Sequence, residues 1–179
     1  MRGRISLAFG PPEQTPASDP GAVILPQFST RRRVPFSARQ MFDLVADVEQ
    51  YPLFLPLCDS LSVISCEQKG PETVLVATMG IGYRAIHERF TTRVTLRAGE
   101  PAILVEYLDG PFKRLENRWR FLPAPGGSDV DFYIDYEFRS IALGLLMGAL
   151  FDAAFRRFAE AFEARARVVY GAKGPALPV

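Results

Sequence analysis

Phe151-Asp-Ala-Ala-Phe155-Arg-Arg-Phe158-Ala-Glu-Ala-Phe162 decides the fold of this chain. Its four phenylalanines recur at i, i+4, i+7 and i+11, one continuous stripe along an α-helix. Ser140 stands where it can cap that helix and Gly171 where it can end it. The span is about 30 residues, a rod of roughly 45 Å at 1.5 Å per residue. The other side carries Asp152 with Arg156 and Glu163 with Arg167, both spaced for i,i+4 ion pairs. An aromatic face of that length requires an apolar surface to lie on.

The residues before it supply one. Thr73 to Tyr83 sets Leu75, Ala77, Met79 and Ile81 on one face, with Gly80 and Gly82 reading as a bend. Ala85 to Leu96 alternates Ile86, Glu88, Phe90, Thr92 and Val94 against His87, Arg89, Thr91 and Arg93. Phe112 to Leu122 puts Leu115, Asn117, Trp119 and Phe121 opposite Arg114, Glu116, Arg118 and Arg120. Beyond the Pro123 to Gly127 turn, Val130, Phe132, Ile134, Tyr136 and Phe138 alternate with acidic and tyrosine residues. With Phe28 to Val34, Leu61 to Gln68 and Ile103 to Leu108, closed by the Asp109-Gly110-Pro111 turn, the pattern predicts six to seven half-buried antiparallel strands.

Between the first two strands, Ser37 and Gln40 form a capping box, and Phe36 and Met41 are placed as its hydrophobic staple. The helix they start turns Met41, Phe42, Leu44, Val45 and Val48 inward. Tyr51-Pro52 stops it, and the apolar run to Pro56 reads as a helical turn or loop. Strand, short helix, a run of strands and a long helix make an α+β domain over residues 26–171. Residues 1–25, rich in Pro and Gly, read as a disordered extension, and 172–179 as a flexible tail.

Composition narrows the functional classes. A net charge of +1 supplies no bulk field for DNA or RNA backbones. Cys58 and Cys66 read as reduced, small apolar residues, and no run approaches the ~20 apolar residues of a membrane span. With no secretory signal either, the expected location is cytoplasmic. A nucleophilic triad needs a base, and His87, the one histidine, falls in the outward set of its strand. One His and two separated Cys do not make a metal site, and no Gly-rich phosphate loop follows a strand. The expectation is a protein without catalytic residues, metal or cofactor.

A twisted sheet of this size curls, and the long helix lies across its concave face. Ala77 and Thr92 among bulky neighbours favour a gap there, of the ~300–1,000 Å³ class. The alternative is that the aromatic residues simply fill the core.

Three stretches carry a resemblance. They are Phe42-Asp-Leu-Val-Ala-Asp-Val-Glu-Gln-Tyr-Pro-Leu-Phe-Leu-Pro-Leu-Cys58, then Asp109-Gly-Pro-Phe-Lys-Arg-Leu115 running on to Trp119-Arg-Phe121, and Tyr136-Glu-Phe-Arg-Ser140 with the closing Ala161-Phe-Glu-Ala-Arg-Ala166. Over about residues 26–171 the chain resembles the coenzyme Q-binding protein family of the START-like, polyketide cyclase/dehydrase superfamily. Members often have Trp before the cysteine, where this chain has Leu57. The resemblance implies a helix-grip START-like fold whose sheet wraps the last helix around a hydrophobic tunnel. Its implied ligand is ubiquinone or a polyprenylated precursor, held by a lipid chaperone that supports respiration and quinone biosynthesis. The same motifs occur in ribosome-association toxins, which bind the large ribosomal subunit, and the superfamily includes polyketide cyclases and aromatases.

On that reading the cavity wall draws on Phe42, Val45, Tyr51, Phe54, Leu55, Phe112, Leu115, Trp119, Phe132, Ile134, Tyr136, Leu150, Phe151, Phe155, Phe158 and Phe162. Two polar residues fall on apolar faces. Glu88 can meet the head group, serve as an acid/base, or tie a strand to an arginine; Asn117 can donate to a carbonyl or methoxy oxygen. Ile141 to Phe151 is apolar all round, and three readings stay open: a buried helix start, a membrane-dipping entrance, or a homodimer face. As an entrance on the inner face of the respiratory membrane, Leu143, Leu145, Leu146 and Met147 form the gate, with Gly144 and Gly148 as its flexible points. A ribosome-binding role instead draws on Arg31 to Arg33 with Arg118 and Arg120.

Overall fold

Local chemistry fixes the first helix. The Ser37 hydroxyl accepts from the Gln40 amide while the Gln40 side chain accepts from the Ser37 amide, a complete capping box. In the computed structural model, which describes residues 27–171 apart from the side chains of 149 and 152, this helix, α1, spans Ala38–Ala46. Phe36 and Met41 flank its start, both buried. A short 3-10 helix, Val48–Leu53, follows; Pro52 lies inside it. The expected extension at 1–25 and tail at 172–179 lie outside the described residues.

Seven antiparallel strands make one sheet: β1 Gln27–Val34, β2 Cys58–Lys69, β3 Glu72–Tyr83, β4 Ile86–Arg97, β5 Ala102–Asp109, β6 Phe112–Ala124 and β7 Gly127–Phe138. Their order is β1-β7-β6-β5-β4-β3-β2, a meander from β2 to β7 whose far edge is completed by β1. The last helix, α2, spans Ile141–Tyr170, with the Ser140 hydroxyl accepting from the Leu143 amide and Gly171 at its end. It rests on β1, β7 and α1. Phe151, Phe155 and Phe162 of its stripe are buried, and Phe158 is half-buried.

Alternation predicts the buried faces of β6 and β7, and every residue named on them from Leu115 to Phe138 is covered. Gly80 and Gly82 have a different role from the bend expected. A Cβ on Gly80 would stand 2.4 Å from the Ser60 hydroxyl, and one on Gly82 1.9 Å from an Asp59 carboxylate oxygen. They admit side chains of β2, whose register shifts at this point.

Charge arranges the outer face. Arg31 and Arg33 on β1 pair across the strand with Asp131 and Asp129 of β7, at 2.7 and 2.9 Å through Nη2. Hydrogen bonding to these guanidinium groups holds both carboxyls below their ordinary range. Glu163 departs from the exposed position expected: it is buried, taking Arg32 from β1 at 2.8 Å and Arg167 from its own helix. Of the cysteines, both free, Cys58 is buried but Cys66 is exposed on β2.

Candidate ligand-binding cavity

Between sheet and α2 lies a chamber of about 120 Å³. It is smaller than the sequence suggests, because the phenylalanine stripe projects into the space the curved sheet opens. Its volume approaches the ~150 Å³ of an apolar cavity that takes up benzene.

The helix supplies Phe151, Phe155, Phe158 and Phe162 to its wall. Successive rings along this side meet edge to face, Phe151 to Phe155 at 5.5 Å and Phe155 to Phe158 at 5.2 Å. From the sheet come Leu115, Asn117 and Trp119 of β6 and Phe132 and Ile134 of β7. Trp119 lies 4.6 Å from Phe132 and 5.1 Å from Phe162 between ring centroids, so it joins sheet to helix. Val45, Tyr51 and Leu55 close the α1 side.

Six residues expected on this wall stand elsewhere. Phe42 packs edge-on to Phe121 in the core beneath α1, and Phe54 meets Tyr51 and Phe162 edge to face. Phe112 is fully buried in a cluster with Phe90, Phe138 and Phe151, and Tyr136 is buried against Phe151 and Phe155. Leu150 is half-buried against the core, off the chamber. Glu88 is half-buried but does not reach the chamber, which ends at Phe90 on that strand. Glu88, Phe112 and Tyr136 lie beyond the last residue of their strand to meet the gap, whereas Phe42, Phe54 and Leu150 pack off it beside neighbours that do.

The wall also contains residues that the aromatic pattern passed over. β3 gives Ala77, Met79 and Ile81, β4 gives Phe90, Thr92 and Val94, and β5 gives Ile103 and Val105. Their alternation was the available signal. Val48, Pro56, Leu57 and Leu61 complete the wall from the 3-10 helix and the start of β2. Leu57 adopts φ 66°, a conformation that no periodicity announces.

Few polar groups face the chamber. Tyr51 donates its hydroxyl to the Val45 carbonyl at 2.6 Å, and burial, with smaller contributions from Cys58 and Asp47, raises its pKa well above that of a free phenol. Asn117 is less available to a ligand than its position suggests. Its amide donates to the Tyr133 carbonyl at 2.9 Å, and its oxygen accepts from the Trp119 indole at 2.8 Å. Thr92 brings a hydroxyl to the wall from a buried position. Beside the chamber the Cys58 thiol is pushed up to about 11, chiefly by burial, with Asp59 adding to it. His87 is exposed and 3.2 Å from Asp59, outside the chamber.

The apolar start of α2 divides between two of its readings. Ile141, Leu145 and Leu146 are 83%, 80% and 62% exposed. Leu143 is half-buried, and Met147, expected at the gate, is 1% exposed and belongs to the core. Gly144 approaches Phe138 while Gly148 faces open space, and the helix runs unbroken through both. Among the described residues no helix is long and apolar enough to cross a membrane.

A curved antiparallel sheet closed by a long helix over an apolar chamber defines the START-like class of domain. The same architecture occurs in a START superfamily protein of Mycobacterium smegmatis, with TM-score 0.67 at 21% identity over 80% of this chain and 98% of that one, a likeness of fold. Within the class, the chain belongs to the family described as polyketide cyclase / dehydrase and lipid transport, whose profile matches residues 34–163. Its relatives include a ribosome association toxin of Escherichia coli, 34% identical over 152 residues covering 84% of this chain and 93% of the relative. Another is the mitochondrial coenzyme Q-binding protein homolog B of Xenopus laevis, 33% identical over 150 residues, 81% of this chain and 59% of the relative.

Proposed function

We propose that the protein binds ubiquinone or a polyprenylated precursor in this chamber, as a non-catalytic lipid chaperone for respiratory electron transport and quinone biosynthesis. One observation carries the reading: a ring-sized chamber walled by aromatic and aliphatic side chains, with Tyr51, Thr92 and Asn117 its polar members. None of the three is a base at neutral pH, which favours holding a ligand over transforming it. The kinship with a coenzyme Q-binding protein supports the same choice of ligand.

Membrane contact follows from the start of α2. Ile141, Leu145 and Leu146 make an exposed apolar patch on the helix that lids the chamber. Arg139 immediately precedes the helix and Arg84 caps the β3–β4 turn at the same end of the sheet, charges suited to anionic head groups. Replacing Leu145 and Leu146 with Asp is expected to lower binding to anionic liposomes several-fold with the melting temperature kept.

A second reading rests on the Escherichia coli relative: association with the large ribosomal subunit. The basic surface it needs is diluted, because Arg31 and Arg33 are paired with Asp131 and Asp129 and Arg118 with Glu116. Organic extraction of the purified protein followed by mass spectrometry tests the first reading. A polyprenyl quinone is expected; an empty protein that co-sediments with large subunits would overturn the proposal.

A further inference from the structure

Tyr107 holds a buried hydroxyl with no hydrogen-bond partner. Such a group costs free energy in any folded protein, and native structures contain few of them. Its location gives this one a use. Tyr107 pairs directly with Thr92 across β4 and β5, and it lies two residues beyond Val105 on its own strand. Thr92 and Val105 both line the chamber, and alternation turns Tyr107 to the same concave face, just beyond the wall and against Phe112. Its ring meets Phe112 edge to face at 5.9 Å, which fixes the plane of the phenol. The nearby Asn117 is already committed to Trp119 and Tyr133.

We infer that the chamber opens past Thr92 when a ring is bound, and that Tyr107, just behind that wall, joins Thr92 in hydrogen-bonding a carbonyl oxygen on the ring. The phenol O–H donates to that oxygen, and the threonine hydroxyl completes the pair. The ligand class is therefore a ring bearing a ketone or quinone carbonyl, not a plain hydrocarbon. This inference rests on the proposed lipid-binding role and adds to it the group that selects the head.

The test compares two probes on the intact chain: ubiquinone-2, which carries ring carbonyls, and N-phenylnaphthylamine, which is apolar and carries none. Fluorescence of the second reports its own binding, and its displacement reports the first. In Tyr107→Phe the affinity for ubiquinone-2 relative to N-phenylnaphthylamine should fall roughly tenfold, the loss of one hydrogen bond to a buried acceptor. Thr92→Val should move the ratio in the same direction, and circular dichroism confirms that both variants are folded. An unchanged ratio in Tyr107→Phe overturns the inference, as does a wild-type chain that takes up N-phenylnaphthylamine but not ubiquinone-2. Binding of neither probe overturns the lipid-binding reading itself, an outcome readily told apart from the other two.

Discussion

Asn117 shows how much one side chain can decide. It stands on an apolar strand face, where sequence alone offers it to a ligand, yet its amide bridges the Trp119 indole and the Tyr133 carbonyl. Replacing it with Ala leaves a buried indole N–H without a partner, so Asn117→Ala should cost about 2 kcal/mol in urea unfolding. A loss below about 0.5 kcal/mol, smaller than one net hydrogen bond, would mean that Trp119 finds another acceptor. The cysteines separate on the same physics. Burial favours the neutral Cys58 thiol, so its stabilising effect is present below the unfolded-state pKa and is lost as pH rises through about 11. At pH 8 its thiolate fraction is roughly two orders of magnitude below that of a free cysteine. Exposed Cys66 should therefore react first with a disulfide reagent, and Cys66→Ser should remove the fast phase. A fast phase surviving in that variant would show that Cys58 is reachable and ionised.

The elements themselves were legible because their signals are local: a capping box for α1, strict alternation for β6 and β7, a phenylalanine stripe for α2. Their faces followed from those periods. What the period does not encode is where along a strand the helix leaves a gap. Phe112 and Tyr136 point inward like Leu115 and Ile134, yet the former two belong to solid core and the latter two to the chamber wall. No periodicity puts Leu57 and Pro56 on the wall, because their place depends on a loop conformation tied to Gly82 of β3. Within α2 the same distinction yields a contrast. Phe155 is buried, lining the chamber while packing against Phe132, Tyr136 and Phe151, and its replacement with Ala should cost about 3–5 kcal/mol. Phe158, half-buried on the wall, should cost less while enlarging the chamber. The Phe158→Ala variant should bind N-phenylnaphthylamine more tightly than wild type, measured by fluorescence titration. Unchanged or weaker binding in Phe158→Ala would show that the probe does not use the space this ring occupies.

For the molecule as a whole, the chamber volume limits how a polyprenyl lipid can bind. About 120 Å³ is close to the size of one small ring and far too little for a tail, so the tail requires that something move. The sheet is a poor candidate, since every strand from β3 to β7 is hydrogen-bonded on both sides. α2 is held differently: its later turns dock on β1 and α1 through the Glu163 pair with Arg32 and the Tyr170 hydroxyl on the Gln40 carbonyl. Its first turns carry exposed Ile141, Leu145 and Leu146, with Met147 as the buried anchor. Burial of few side chains means a low local opening energy. Amides of 141–150 should therefore exchange with deuterium faster than those of 154–166. Saturating ubiquinone-2 should slow the first group specifically, as the tail fills the space between those turns and the sheet. Protection that instead mapped to β2 and β3 would place the entrance at the opposite sheet edge, and uniform exchange along α2 would remove the helix start as the moving part.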